Sequence, residues 1–263
     1  MTADLDLILE TAREAGEIAH SYFRKDPDAW DKGGNAGPVS RADIETDTYL
    51  RQNLLSARPD YGWLSEETED DESRLGHETI FIVDPIDGTR SFLEGSKTWA
   101  VSVAIARKGK PVAGVIHMPA KGLTYSASLG KGAFLNGTRL FSSSYKTMEQ
   151  SRVLAARPAL QSQHWRNAPP RFDRHFRPSL AYRLALVAEG RFDAMLTIRP
   201  TWEWDVAAGM LIAEEAGAIA TDQNGRSGQF NSANSQLDGV LVATSGLHEA
   251  LGRELKYFER LTG

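Results

Sequence analysis

The sequence predicts a mixed α/β protein, and three observations carry that reading. The chain opens on an amphipathic pattern of helical period. Its first half then holds several β-forming runs, one of them alternating with period two. Its second half alternates short apolar runs with helical patterns.

Each element follows from its residues. Leu5, Ile8, Leu9, Ala12, Ala15, Ile18, Ala19 and Tyr22 recur at helical spacing with acids and arginine between them, which predicts a first helix ending by Asp26-Pro27. The glycine-rich residues 33–38 predict a loop. A second helix is expected from Ser40 or Arg41 to near Ala57, before Pro59. Trp63-Leu64-Ser65-Glu66-Glu67 leads into a polar, acidic run through Glu78, expected as a solvated surface loop. Residues 79–83 form a short apolar β-former run cut off by Asp84-Pro85, and predict a buried strand. Residues 100–106 alternate, with Val101, Val103 and Ile105 on one face, and 111–118 and 123–128 continue in that style. With turns at 108–110 and 119–122, these runs predict an antiparallel sheet. A polar cluster at 142–148 marks the expected boundary between two halves, 1–145 and 146–263, of one compact unit. Beyond it, strands are expected at 151–155, 194–198 and 239–243 and helices at 180–189 and 205–216. No repeat is present.

Bulk properties narrow the function. With 263 residues, 41% hydrophobic and 25% charged, the chain has the composition of an ordinary globular protein. A net charge of -5 argues against bulk nucleic-acid binding, which needs a basic face. The absence of cysteine excludes disulfides, thiolate zinc sites and a cysteine nucleophile. The first ten residues carry three acids and no basic segment, so no secretory signal is expected; no apolar run approaches the ~20 residues of a membrane span. A cytoplasmic enzyme without membrane partners is the expectation.

The most informative stretch is Asp84-Pro85-Ile86-Asp87-Gly88-Thr89. Two acids at the end of a buried strand, with a stiffening proline between them and a glycine after them, can point into one small space. Carboxylates that close repel each other unless a cation lies between them, and oxygen ligands suit magnesium. A helix starting at Gly88-Thr89-Arg90-Ser91 would add free N–H groups for a phosphate. The same residues also build a common structural turn with a helix N-cap, so the motif alone leaves both readings open. Glu66 and Glu67 lie in a different segment. Asp205 starts a helical pattern, where it could be only an N-cap, and Asp43 could be only a first-turn acid.

Taken together, these segments resemble the inositol monophosphatase superfamily. Asp84-Pro-Ile-Asp-Gly-Thr-Arg-Ser-Phe92 and Trp204-Asp-Val-Ala-Ala-Gly209 are similar to its paired signatures, and Ser65-Glu-Glu67 and Val39-Ser-Arg-Ala-Asp43 to its other site segments, in the same order. The resemblance implies a layered αβαβα sandwich of the inositol monophosphatase / fructose-1,6-bisphosphatase type, with the larger sheet in the N-terminal half. It implies a lithium-sensitive phosphomonoesterase holding two or three Mg2+ ions, which hydrolyses a small phosphorylated metabolite with metal-activated water. The implied metal ligands are Glu66, Asp84, the Ile86 carbonyl, Asp87 and Asp205. Asp43, Thr89 and Glu66 are the implied catalytic residues, Thr89 with Asp43 orienting the water. Gly88, Thr89, Ser179, Arg199 and Asp205 would contact substrate, and Glu67 would support the ligands from behind.

Substrate choice separates the branches of that family. Its members act on inositol phosphates, 3'-phosphoadenosine 5'-phosphate, fructose 1,6-bisphosphate and histidinol phosphate. The inositol branch carries a glutamate shortly before Trp-Asp; here Thr197-Ile-Arg-Pro-Thr201 holds no acid, and the nearest is Glu203. Leu64-Ser-Glu-Glu67 and Arg199-Pro-Thr201 are more similar to the bisphosphate nucleotidase branch, where Arg199 would meet a second phosphate. Arg199 reads equally as a solvated loop charge. Some members bind RNA polymerase or act in ribosome maturation, and homodimers occur in the inositol branch; the sequence shows no basic stripe for the first and no interface for the second. A purely structural domain with acid-rich turns is the remaining reading.

Overall fold

The computed structural model describes residues 2–25, 27–34 and 37–258. Helix α1 spans Ala3–Tyr22, capped at its start by the Thr2 hydroxyl accepting from Leu5 N–H. The predicted stop at Asp26-Pro27 falls partly outside the described residues, because Asp26 is not among them; the helix ends earlier, at Tyr22. The predicted 33–38 loop lies between a short antiparallel pair, β1 (Ala29–Asp31) and β2 (Pro38–Ser40), and its residues 35–36 lie outside the described residues. Helix α2 follows directly as Arg41–Ala57.

Seven strands form the larger sheet: β3 (Gly62–Ser65), β4 (Thr79–Asp87), β5 (Ala100–Arg107), β6 (Lys110–Met118), β7 (Leu123–Ser128), β8 (Gly132–Leu135) and β9 (Thr138–Arg139), paired in that order. All pairs are antiparallel except β3–β4. A parallel pair needs a long crossover, and the acidic 66–78 run supplies it. The run is mostly exposed from Glu69 to Glu78, the expected solvated surface loop. Its 3-10 turn Ser73–Gly76 carries a buried Arg74, which makes a two-point ion pair with Asp70 and bonds Asn231 and Ser235.

Period-two alternation places each face of this sheet. Phe81 and Val83 of β4, with Val101, Val103 and Ile105 of β5, pack under α1 and α2. Ile80 and Ile82, with Ala100, Ala104 and Ala106, face the other way into the central core. That core is filled by two helices of the second half, α4 (Leu180–Ala188) and α5 (Glu203–Glu215). Short α3 (Thr89–Leu93) follows β4. Both α4 and α5 are apolar on nearly all sides, as a helix sandwiched between layers must be. Gly114 of β6 lets α5 lie against the sheet: a Cβ there would stand 3.0 Å from Ala208 Cα.

The second half contains β10 (Arg152–Ala155), β11 (Asp173–His175), β12 (Ala194–Thr197), β13 (Thr201–Trp202), β14 (Ile219–Thr221), β15 (Gln236–Leu237) and β16 (Val240–Ala243). Five of them make a mixed sheet in the order β11-β10-β12-β16-β14, and β13 pairs with β15. Leu154, Met195 and Val242 face α4 and α5, while Val153, Leu196 and Leu241 pack under the last helix, α6 (Ser245–Glu254). The layers therefore run α1/α2, seven-stranded sheet, α4/α5, five-stranded sheet, α6: the expected αβαβα sandwich. No regular element lies between Arg139 and Arg152. Among the described residues, no helix is long and apolar enough to cross a membrane.

Candidate metal and phosphate site

The site begins with a defect in β4. In a regular strand, residues three apart point to opposite faces. Here Asp84 pairs with Ser102 and Asp87 with Ala100, so three steps on β4 oppose two on β5. This bulge, at Pro85-Ile86, brings Asp87 round to the side of Asp84. The Asp84 carboxylate also accepts from Ile86 N–H at 3.0 Å, which tightens the turn. Gly88 then adopts φ 97°, and α3 starts immediately after it.

Asp205 meets them from the opposite layer. It is the third residue of α5, whose N-cap is Trp202, so the capping alternative for Asp205 is corrected. Carboxylate oxygens of Asp84, Asp87 and Asp205 lie within 4.8 Å of one another. Burial, then the charges of Glu66, Asp87 and Asp205, pushes Asp84 well above the usual carboxylate range; burial, then Asp87 and Glu66, does the same to Asp205. Asp87 is raised by burial as well, against the bonds that hold it. Those bonds come from the first turn of α4: Leu180 N–H donates to Oδ1 at 3.2 Å, and Ala181 N–H to Oδ2 at 2.7 Å.

Ser179, expected to contact substrate, is fully buried. Its hydroxyl donates to Asp87 and accepts from Tyr182 N–H, so it acts on the site through Asp87. Asp43 closes the α2 N-terminus, its Oδ2 accepting from the Ser40 N–H and hydroxyl at 2.8 and 2.6 Å. Its other oxygen lies 3.1 Å from the Thr89 hydroxyl, which is equally 3.1 Å from the Ile86 carbonyl. The first-turn acid and the site residue are thus the same group.

Glu66 follows β3, and its N–H extends the ladder to Val83 O. Lys32 bonds both Glu66, at 3.1 Å, and Glu67, at 2.6 Å. Burial and then the Glu66 charge push Glu67 up to about 7. A cavity of about 530 Å3 joins these groups: Glu66, Asp84, Asp87, Gly88, Thr89 and Asp205 line it. Arg199 lines it too, as an exposed side chain.

A charged cavity residue, Arg183, escaped the sequence reading. Arg183, hidden in the apolar run of α4, is 8% exposed, with its guanidinium over the Phe176 ring at 4.4 Å. Burial lowers it to about 10. Its periodic position gave no signal, because only the cavity distinguishes it from a surface arginine. Glu203 is fully buried and turned away: it accepts from Asn231 N–H, Ser232 N–H and the Ser232 hydroxyl.

The donor set fits a hard divalent cation. Two buried carboxylates and a half-buried one, Asp205, offer only oxygen, and among the described residues no lysine or arginine forms an ion pair with Asp84, Asp87 or Asp205. Such a cluster must bind protons or a cation, and oxygen-only donors favour magnesium over softer metals.

Comparison with known proteins gives the family. The model of the inositol monophosphatase family matches residues 3–258. The chain belongs to the inositol monophosphatase family. Family membership makes it a phosphatase, a hydrolase of phosphate monoesters. The inositol-1-monophosphatase of Rhizobium meliloti is 38% identical over 202 residues, 73% of this chain and 74% of that protein. The histidinol-phosphatase of Chlorobaculum parvum is 34% identical, covering 94% and 98%. The 3'(2'),5'-bisphosphate nucleotidase CysQ of Escherichia coli is 30% identical, covering 84% and 92%. The Thermotoga maritima IMPase structure superposes with a TM-score of 0.81 at 25% identity, covering 96% of each chain.

Proposed function

We propose that this family member is a magnesium-dependent phosphatase acting on a doubly phosphorylated nucleotide, 3'-phosphoadenosine 5'-phosphate being the substrate that fits best. The observation that carries the chemistry is the convergence of Asp84, Asp87 and Asp205 within 4.8 Å, in one cavity with Thr89. These carboxylates, with Glu66 and the Ile86 carbonyl, would hold the ions. Magnesium, when bound, supplies positive charge to the phosphate and makes water a stronger nucleophile.

The chain's own residues do the rest. Thr89, hydrogen-bonded to Asp43, orients the attacking water and passes its proton toward the carboxylate. Gly88 and Thr89 line the cavity where the phosphate would sit. The α4 turn fixes Asp87, so no reorganisation is needed as charge develops.

Two features support the nucleotide. Arg199 puts an exposed guanidinium in the cavity, suited to a second phosphate, and Arg183, whose Nε and Nη2 donate to Arg177 O and Pro178 O, adds positive charge there from over the Phe176 ring. No acid stands between Thr197 and Thr201, and Glu203 is committed to Asn231 and Ser232, so an inositol ring lacks a carboxylate partner on that side. Glu94 also lines the cavity and favours a second reading, histidinol phosphate, whose amine it would meet. Two arginines oppose that cation.

Phosphate release with magnesium, measured side by side on 3'-phosphoadenosine 5'-phosphate, inositol 1-phosphate, fructose 1,6-bisphosphate and histidinol phosphate, tests the reading. Preference for the nucleotide is expected. Preference for another ester keeps the chemistry and rejects the specificity argument; release from none rejects the assignment of these substrates altogether.

A further inference from the structure

One helical turn beyond Asp43, α2 carries a second buried acid, Asp47. Its Oδ1 accepts from the Ser65 hydroxyl, and its Oδ2 from the Thr68 hydroxyl at 2.6 Å. Thr68 accepts in turn from the Trp63 indole N–H at 3.2 Å, and Glu67 N–H donates to Ser65 Oγ at 3.4 Å. A single carboxylate therefore grips the first and fourth residues of the turn Ser65-Glu66-Glu67-Thr68. The two residues between are the acids.

That turn has reason to spread. Glu66 and Glu67 are neighbouring half-buried carboxylates, and the charge of one raises the other. Lys32 draws them together by an ion pair to each, and Asp47 ties the two ends of the turn. Residues four apart share a face of a helix. Asp43 reaches the β4 turn through Thr89, and Asp47 reaches the β3 turn through Ser65 and Thr68. Two consecutive turns of α2 thus address the ends of two adjacent parallel strands.

We infer that Asp47 is a positioning residue for the cation site: it sets the Glu66–Glu67 turn in register with the Asp84–Asp87 turn, so that the Glu66 carboxylate is aligned before a cation arrives. The inference rests on the proposed role of Glu66 as a ligand. Asp47 is outside the set of ligands and does not touch the phosphate. Groups that orient a ligand from behind control metal affinity without taking part in the reaction.

The test titrates magnesium into full-length wild type, Asp47→Asn, Ser65→Ala and Thr68→Val. It reads the thermal-shift midpoint and kcat at saturating magnesium. Asp47→Asn keeps the shape and removes the charge. It is expected to raise the magnesium midpoint about tenfold or more, with kcat at saturation within about twofold of wild type. Ser65→Ala and Thr68→Val each release one end of the turn and shift the midpoint in the same direction by less, which keeps the test decisive if Asp47→Asn does not fold. Combining Ser65→Ala with Asp47→Asn should add little to Asp47→Asn alone. Unchanged midpoints, with only a lower melting temperature in the metal-free protein, would reduce Asp47 to a structural residue and overturn the inference. A wild type that shows no magnesium response would instead overturn the ligand reading itself, and this inference with it.

Discussion

The Thr89 hydroxyl lies 3.1 Å from the Asp43 carboxylate, although 46 positions separate them in the chain. A hydroxyl has one proton, and here it has two acceptors at equal distance, Asp43 and the Ile86 carbonyl. It can therefore donate to one of them and accept from a water. Thr89→Ala removes that relay and leaves the backbone of the turn in place. Its kcat should fall about 10²–10⁴-fold with a far smaller change in KM, while Thr89→Ser keeps most of the rate. Equal losses in both constants would mark a purely binding role.

Asp87→Asn should bring turnover to background and remove the magnesium-induced rise in melting temperature. The amide keeps the shape and one acceptor for the α4 turn, yet it takes away the charge of a proposed ligand. Losing one hydrogen bond costs about 1–2 kcal/mol, and relief of repulsion from Asp84 and Asp205 offsets part of it. Differential scanning fluorimetry with and without magnesium separates the two effects.

Gly88 holds φ 97°, and a Cβ there would stand 3.1 Å from Thr98 O. Gly88→Ala should destabilise the fold by roughly 1–2 kcal/mol from the left-handed conformation alone. Activity should suffer more than stability, because Thr89 is the next residue; chemical denaturation beside steady-state kinetics reads both.

Removing the exposed cation by Arg199→Ala should raise KM for 3'-phosphoadenosine 5'-phosphate about tenfold, the worth of one charge-assisted hydrogen bond. KM for inositol 1-phosphate should not move. A parallel rise for both esters would show that Arg199 is not reading a second phosphate.

The pH dependence of the metal-free protein follows from two opposed sets of groups. His117 and His248 are buried and lowered from 6.5 to about 4, so the unfolded chain binds more protons between those values and their contribution is lost as pH falls through that window. The carboxylates are raised, so the folded state holds protons that the unfolded chain has released; stability falls as pH rises toward and past their folded values, with Glu67 at about 7. Above pH 6.5 only the second set acts. Metal-free protein should lose stability from pH 6.5 to 8, and magnesium should abolish that loss, because bound ligands are deprotonated. Melting temperatures across this range, with chelator or with magnesium, check the sign.

Much of this was legible in the sequence, for identifiable reasons. The 79–83 run announced β4 because an unbroken apolar β-former segment stopped at Asp-Pro. The alternation of Val101, Val103 and Ile105 gave the face of β5 that meets α1 and α2. The bulge between Asp84 and Asp87 left no trace of its own, since only pairing with β5 reveals the extra residue. Strand β3 was too short, at four residues, to display a period. Helix α6 has a narrow apolar stripe, Leu247 and Leu251, interrupted by Gly246 and Gly252. Arg74 read as a surface charge because Asn231 and Ser235, which bury it, lie more than 150 positions away.

The placement of α4 and α5 between the two sheets has a consequence for how the protein is made. The ribosome delivers β4, with Asp84 and Asp87, long before it delivers Ser179 and Asp205. Until then the nascent chain has a strand end of mutually repelling acids that no α4 turn clasps. The face of the larger sheet that carries Ile80 and Ile82 is also still bare. The acids gain their clasp and the sheet face its cover in one event, when α4 and α5 dock.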